Sequence, residues 1–355
     1  MNDLTEILKK TVDRLLNDFV TRESLEAAED GIFPHELWNA LAKNGLTQPL
    51  VTERDGEVGA HFTDAYEIIY GAGYHSAPVP LIETILASWL AKKTGVSIPT
   101  GPISLIENRR SSALKFNQTG SNWSLSGTAT HTPWGGEAKH AFVIADAGGE
   151  LRSGILQTSK TTIIPDLNMA KEPRDTLIFK KTPVCEISGP LSYEITRDMI
   201  TLYGALFRSA QIAGASQRAL DLAIEYARER KAFGRPIAKF QAIQHQLANL
   251  AAHVAQATIA TESAFRAADL KDPRFEISIA KIVAGQTATL AAETAHQVFA
   301  AIGFTHDHML NFLTRRLWCW RAEFGSDSHW AEEIGRRVTG RGPDMLWNDL
   351  TEVES

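Results

Sequence analysis

Five apolar residues, Phe240, Ile243, Leu247, Leu250 and Val254, step along the chain by three and four, a narrow seam that suits an α-helix packed against other helices. Similar stripes lie near 206 to 229, 275 to 300 and 329 to 338, so the chain from about 194 onward reads as a C-terminal four-helix bundle. Upstream the pattern changes period. Between about 101 and 190 come short β-rich segments, Ile103–Ile106, Trp123–Ser126, Ala141–Ile144, Thr161–Ile164 and Thr176–Phe179, separated by Gly, Asn, Asp and Pro. They predict a small antiparallel sheet. The first hundred residues are helical again, with Leu4, Leu8, Leu15 and Phe19 at helical spacing, Leu37 and Leu41 before an Asn44-Gly45 stop, and further helices over 63 to 71 and 81 to 93. The expected fold is α+β and mostly α: an N-terminal helical domain over 1–100, a middle antiparallel β domain over 101–193, and the bundle over 194–355. Neither an internal repeat nor a low-complexity segment interrupts that order.

Composition narrows the function. With 355 residues, 44% hydrophobic and 22% charged, the chain can bury a large core, and its apolar runs fall far short of the roughly 20 residues a membrane helix needs. A formal charge of −6 argues against nucleic acid, whose phosphates call for clustered cations. Basic pairs such as Arg336-Arg337 read as solvated helix faces. Glu6, Asp13 and Asp18 interrupt the first segment and no apolar stretch follows Lys9-Lys10, which is not the pattern of a leader. Cys185 and Cys319 are the only cysteines, so no disulfide framework is expected and a cytoplasmic location fits.

Most nucleotide and nucleophile signatures are missing. No Gly-x-Gly-x-x-Gly opens a helix after a strand, and there is neither a phosphate-loop motif nor a Gly-x-Ser-x-Gly elbow. Gly340-Arg-Gly342-Pro reads as a loop. His306-Asp307-His308 lacks a third ligand at usable spacing, so no metal site is expected. One stretch does carry chemistry. Arg230-Lys-Ala-Phe233-Gly234-Arg-Pro-Ile237 interrupts two helix-forming segments, and Gln241 opens the second. Gly ends a helix and Pro cannot continue one, so a capped helical hairpin accounts for the pattern. The same residues also fit a grip on a pyrophosphate and its attached ring, with Arg giving forked charged donors, Phe a flat face, and Gln a donor and an acceptor. Residue chemistry leaves both readings open.

The run Arg230-Lys-Ala-Phe233-Gly234-Arg-Pro-Ile237-Ala-Lys-Phe240-Gln241 resembles the signature of the acyl-CoA dehydrogenases, flavoenzymes that oxidise an acyl-CoA to its 2,3-enoyl form. The similarity spans nearly the whole chain. Asn44-Gly45-Leu46 with Pro49-Leu-Val, and Ala77-Pro78-Val-Pro80-Leu81-Ile-Glu83-Thr84, resemble that family's N-terminal domain. Gln297-Val-Phe-Ala-Ala301-Ile-Gly303-Phe304-Thr305 resembles its later flavin-binding segment. The resemblance implies FAD as cofactor, bound across a subunit interface by Arg230 at the pyrophosphate, Phe233 packed on the cofactor, and Gln241, Gln297 and Ala301 at its far end.

Departures from the family fall on its catalytic half. Its base is a Glu in a Tyr-Glu-Gly-Thr loop, and the matching loop here is Trp320-Arg-Ala-Glu323-Phe324-Gly325-Ser326, which puts Phe324 at the base position. A second family location for the base falls at about Gly204. Glu323, one residue away, is the remaining catalytic candidate; its alternative is a surface carboxylate paired with Arg321 or another nearby Arg. The acidic, Gly-containing stretch before the first β hairpin is replaced by Ile106-Glu-Asn-Arg-Arg-Ser, and the segment usually reading Trp-Ile-Thr is His131-Thr132-Pro133, followed by Trp134. The turn Thr is Ala232, and the family's Gly-Gly is Ala300-Ala301.

This pattern is similar to the incomplete subunit of heteromeric α2β2 acyl-CoA dehydrogenases, some of which act on bulky, steroid-derived thioesters. It implies an acyl-CoA substrate, a complete homologue as partner that supplies the base, and an electron-transfer flavoprotein as oxidant. Two other readings stay open: a flavin-free structural or regulatory subunit, and a self-sufficient homo-oligomer using Glu323.

Overall fold

The computed structural model describes residues 3–51, 59–108, 113–306 and 308–351. Five helices come first: α1 Asp3–Phe19, α2 Arg22–Glu29, α3 His35–Lys43, α4 Phe62–Tyr74 and α5 Leu81–Thr94. Strands β1 Ile103–Ile106, β2 Lys115–Thr119, β3 Asn122–Pro133, β4 His140–Asp146, β5 Leu151–Gln157, β6 Thr162–Ile164 and β7 Arg174–Ile187 follow. The chain then returns to helix with α6 Met199–Glu229, the two-residue strands β8 Lys231–Ala232 and β9 Arg235–Pro236, α7 Gln241–Leu270, α8 Arg274–Phe299, α9 Met309–Trp320, α10 Asp327–Arg341 and α11 Leu346–Thr351. The helical, β, helical order is the one read from hydrophobic period. Arg109, Arg110 and Ser111 of the replaced acidic stretch, and Asp307 between the two histidines, lie outside the described residues.

Two compact units form. The first gathers residues 1–22, 62–77 and 205–355, and the second residues 23–61 and 78–204. In the first, the bundle core runs from Ile212, Ala219 and Ala223 on α6 through Leu250 and Val254 on α7 and Ala284 to Ala295 on α8, to Leu313, Leu317 and Trp320 on α9. The predicted seam divides along its length: Leu250 and Val254 are buried, whereas Phe240, Ile243 and Leu247 are half-buried. α4 crosses α6 at glycines, for a Cβ on Gly73 would lie 2.0 Å from the Gln211 carbonyl oxygen and one on Gly214 would lie 2.1 Å from that of Tyr70. The first turn of α4 is capped by Asp269, which accepts from the amides of Phe62 at 2.8 Å and Thr63 at 3.1 Å, an anion at the positive helix end. The short helix α9 fell outside the four expected stripes, although Leu310, Leu313, Leu317 and Trp320 carry a buried face at helical spacing.

In the second unit, β4 pairs with β5, β5 with β7, β7 with β3 and β3 with β2, all antiparallel, and β2 returns to β4 through the single pair Lys115 and Asp146. Closing the ladder leaves fewer strand edges open. The sheet departs from a purely antiparallel one because β1 lies parallel to β4, with Ile103 opposite His140 and Ile106 opposite Val143. A parallel neighbour requires a crossover, and the β2–β3 hairpin supplies the intervening chain. Helix α5 is buried on nearly every face and ends at Gly95 in the left-handed region, where φ is 73°. Thr84 on α5 accepts from the amide of Ile103 at 3.0 Å and so fixes where β1 begins.

Candidate functional site

The hairpin between α6 and α7 is tighter than a loop. Lys231 pairs with Pro236 and Ala232 with Arg235, and the Ile237 amide donates to the Arg230 carbonyl at 2.8 Å. Phe233 and Gly234 form the turn with φ of 51° and 77°, a conformation that costs a bulky residue free energy and that glycine adopts readily. The Phe233 ring is 95% exposed, meeting Phe240 edge-on with centroids 6.2 Å apart. Behind it, the Arg235 guanidinium sits 4.4 Å from the Phe240 ring centroid, and Ile237 and Ala238 rest on the bundle core. A strained, exposed aromatic on a well-anchored turn is a side chain held outward.

Arg230 and Gln241 are exposed at either end of this hairpin. Gln297, in the last turn of α8, and Ala301, in the 3-10 segment Ala300–Phe304 that follows, are exposed on the same unit. The two groups share one support, since Val298 and Phe299 belong to the core on which Ile237 packs. Ala300 takes φ 54° and ψ −141°, so the backbone there keeps a conformation suited to glycine although the residue is alanine. His296 stacks on Phe304 at 4.1 Å and shares a 2.8 Å hydrogen bond between Nε2 and the Thr314 hydroxyl; burial lowers its pKa, which keeps it neutral at pH 7. An outward cation, an exposed ring and two exposed amides fit the charged and polar end of a dinucleotide.

The flat-ring end fares differently. Trp134 is 6% exposed and packs edge-on against Phe33, with centroids 6.3 Å apart, so its indole belongs to the core of the β-containing unit. Thr132 is buried, and its hydroxyl finds no hydrogen-bond partner among the described residues.

The loop after α9 holds a cluster that sequence reasoning missed. Glu323 is not a surface carboxylate beside Arg321. It forms a 2.6 Å ion pair with Arg208 of α6, the two side chains being 19% and 2% exposed. The other arm of the Arg208 guanidinium donates to the Gln211 side-chain oxygen, and its Cζ lies 5.4 Å from the Trp320 ring centroid and 5.7 Å from that of Phe324. Arg321 turns elsewhere, donating to the Thr289 hydroxyl at 2.6 Å and approaching Asp327 at 3.8 Å. Phe324, the residue expected from the sequence at the base position, is 4% exposed with φ 52°, and its carbonyl accepts from the Trp330 indole at 3.0 Å. Gly204 offers no carboxylate. The signal for Arg208 was present in the sequence: an Arg and a Gln three apart, between the apolar Leu206-Phe207 and Ile212, must pair if they are buried.

An N-terminal helical segment, a β segment and a helical bundle bearing an Arg-x-x-Phe-Gly hairpin define a three-part α+β architecture. The acyl-CoA dehydrogenase N-terminal domain matches residues 2–95 and the acyl-CoA dehydrogenase C-terminal domain residues 201–339, together about two thirds of the chain. The chain belongs to the acyl-CoA dehydrogenase family. It is 25% identical over 325 residues to the acyl-CoA dehydrogenase IpdE2 of Mycolicibacterium smegmatis, covering 89% of this chain and 93% of that relative. Its fold resembles the ChsE4–ChsE5 complex from Mycobacterium tuberculosis with TM-score 0.85 at 20% identity, over 97% of this chain and 99% of that one. The Tcur3481–Tcur3483 steroid ACAD is similar at TM-score 0.86 and 21% identity, over 96% of this chain and 98% of that chain.

Proposed function

We propose that this chain is the incomplete subunit of a heteromeric, FAD-dependent acyl-CoA dehydrogenase that introduces an α,β double bond into a bulky, steroid-derived acyl-CoA thioester. The observation that carries the reading is the loop after α9: Phe324, which the family resemblance puts at the base position, is a buried ring, and the neighbouring carboxylate is paired with Arg208. An α-proton of a thioester is weakly acidic, and a positioned base is worth about 10² to 10⁴ in rate. The base therefore comes from a complete homologous partner.

This chain contributes from its bundle segment, 194–355. Arg230 donates to the pyrophosphate of FAD, Phe233 covers the cofactor, and Gln241, Gln297 and the backbone at Ala301 bind its far end. When bound, FAD supplies the hydride acceptor, and an electron-transfer flavoprotein reoxidises it. The heteromeric and steroid features rest on the names of two structural relatives, a ChsE4–ChsE5 complex and a steroid ACAD. None of the described helices is long and apolar enough to cross a membrane, which is compatible with work in the cytoplasm.

The test is expression alone and with a complete homologue. The reading expects a chain nearly free of flavin alone and a yellow heterotetramer with one FAD per heterodimer when paired, measured by mass photometry and flavin-to-protein ratio. A stable homo-oligomer with one FAD per chain overturns the incomplete-subunit reading. A colourless heteromer assigns the chain a flavin-free structural role.

A further inference from the structure

Lys281, in the third turn of α8, is fully buried, and its Nζ donates to two backbone carbonyls, those of Arg321 and Gly325, each at 2.7 Å. These carbonyls bracket Ala322, Glu323 and Phe324, so one side chain fastens both ends of the loop. A neutral amine has two N–H donors and an ammonium three. Two carbonyls use the donors of the neutral amine completely and leave the third N–H of the ammonium in need of a partner.

The charges facing Lys281 do not rescue the ammonium. Glu323 in the loop and Asp327 at the start of α10 favour it; Arg208 on α6 and Arg321 oppose it. Burial is the largest influence and brings the Lys281 pKa down to about 7.

We propose that Lys281 is a proton-operated bolt on the Arg321–Gly325 loop, which the neutral amine holds shut and which protonation releases toward water. In the opened loop the amine is solvated and regains the ordinary lysine pKa of about 10.4. Between about pH 7 and 10 the open state then binds one more proton than the closed state, and the opening constant falls about tenfold per pH unit. Below about pH 7 both states carry the proton and the opening constant is flat. The inference does not depend on which subunit holds the catalytic base, because it concerns only the mechanics of this loop.

Amide hydrogen exchange of the full-length protein between pH 6 and 9, corrected for the pH dependence of intrinsic exchange, reads the bolt directly. Protection of the Glu323 and Phe324 amides rises about tenfold per unit above pH 7 in the wild type and is independent of pH in Lys281→Met. Flat wild-type protection across pH 7 to 9, or the same slope in Lys281→Met, overturns the proposal. Should Lys281→Met fail to fold, the wild type with ¹³Cε-labelled lysine decides instead. A Lys281 resonance titrating near neutrality supports the bolt, and one titrating at the ordinary lysine value refutes it.

Discussion

Replacing Glu323 with Gln separates a structural carboxylate from a catalytic one. The substitution keeps the shape and one acceptor oxygen but removes the charge opposite Arg208, which is 2% exposed and cannot recover water without moving. Stranding one member of a buried pair costs about 3 to 5 kcal/mol. The retained acceptor, the second bond from Arg208 to Gln211 and the 19% exposure of the Glu323 side chain reduce that, so Glu323→Gln is expected to cost about 2 kcal/mol. Arg208→Met leaves the better-solvated partner and costs somewhat less, and Arg208→Met with Glu323→Met together recovers part of the loss, because two apolar side chains replace two mutually dependent charges. Urea unfolding of the four proteins yields the coupling energy, expected at about 1 to 2 kcal/mol. On the proposed function, turnover of the complex that Glu323→Gln forms with a complete homologue stays within a few-fold of wild type. A fall of about 10² or more in turnover, with flavin content and stability intact, would identify Glu323 as the base and refute the assignment of the ion pair to structure alone.

Arg230→Ala removes an exposed donor and opens no core, so it weakens FAD retention in the assembled protein while leaving folding unchanged; dialysis followed by the flavin-to-protein ratio reads the loss, and undiminished retention removes Arg230 from the site. Ala300→Gly relieves a positive φ of 54°, which costs an alanine about 1 kcal/mol, less the extra entropy of an unfolded glycine. A stabilisation of about 0.5 kcal/mol in urea unfolding is expected, and destabilisation would show that the alanine methyl makes a contact worth more than the strain.

The sequence alone carried the order of helical and β segments, because periods of 3.6 and 2 are written in the spacing of apolar residues and need no knowledge of neighbours. It also carried the hairpin: Gly234 and Pro236 punctuate the chain locally, and Arg230, Phe233 and Gln241 lie within twelve residues of one another. What tertiary structure decided was long-range pairing. The parallel seat of β1 beside β4, the grouping of α1 and α4 with the bundle, and the glycine crossing of Gly73 with Gly214 depend on segments far apart in the chain. The fate of Glu323 belongs to the same class. Its neighbour in sequence, Arg321, was the natural candidate for an ion pair, yet the partner is Arg208, more than a hundred residues upstream, because burial of that guanidinium on α6 demands a carboxylate and the α9–α10 loop delivers one. Lys281 was likewise hidden. A lysine among alanines and isoleucines reads as a solvated side chain until the fold closes a loop of carbonyls over it and takes its water away.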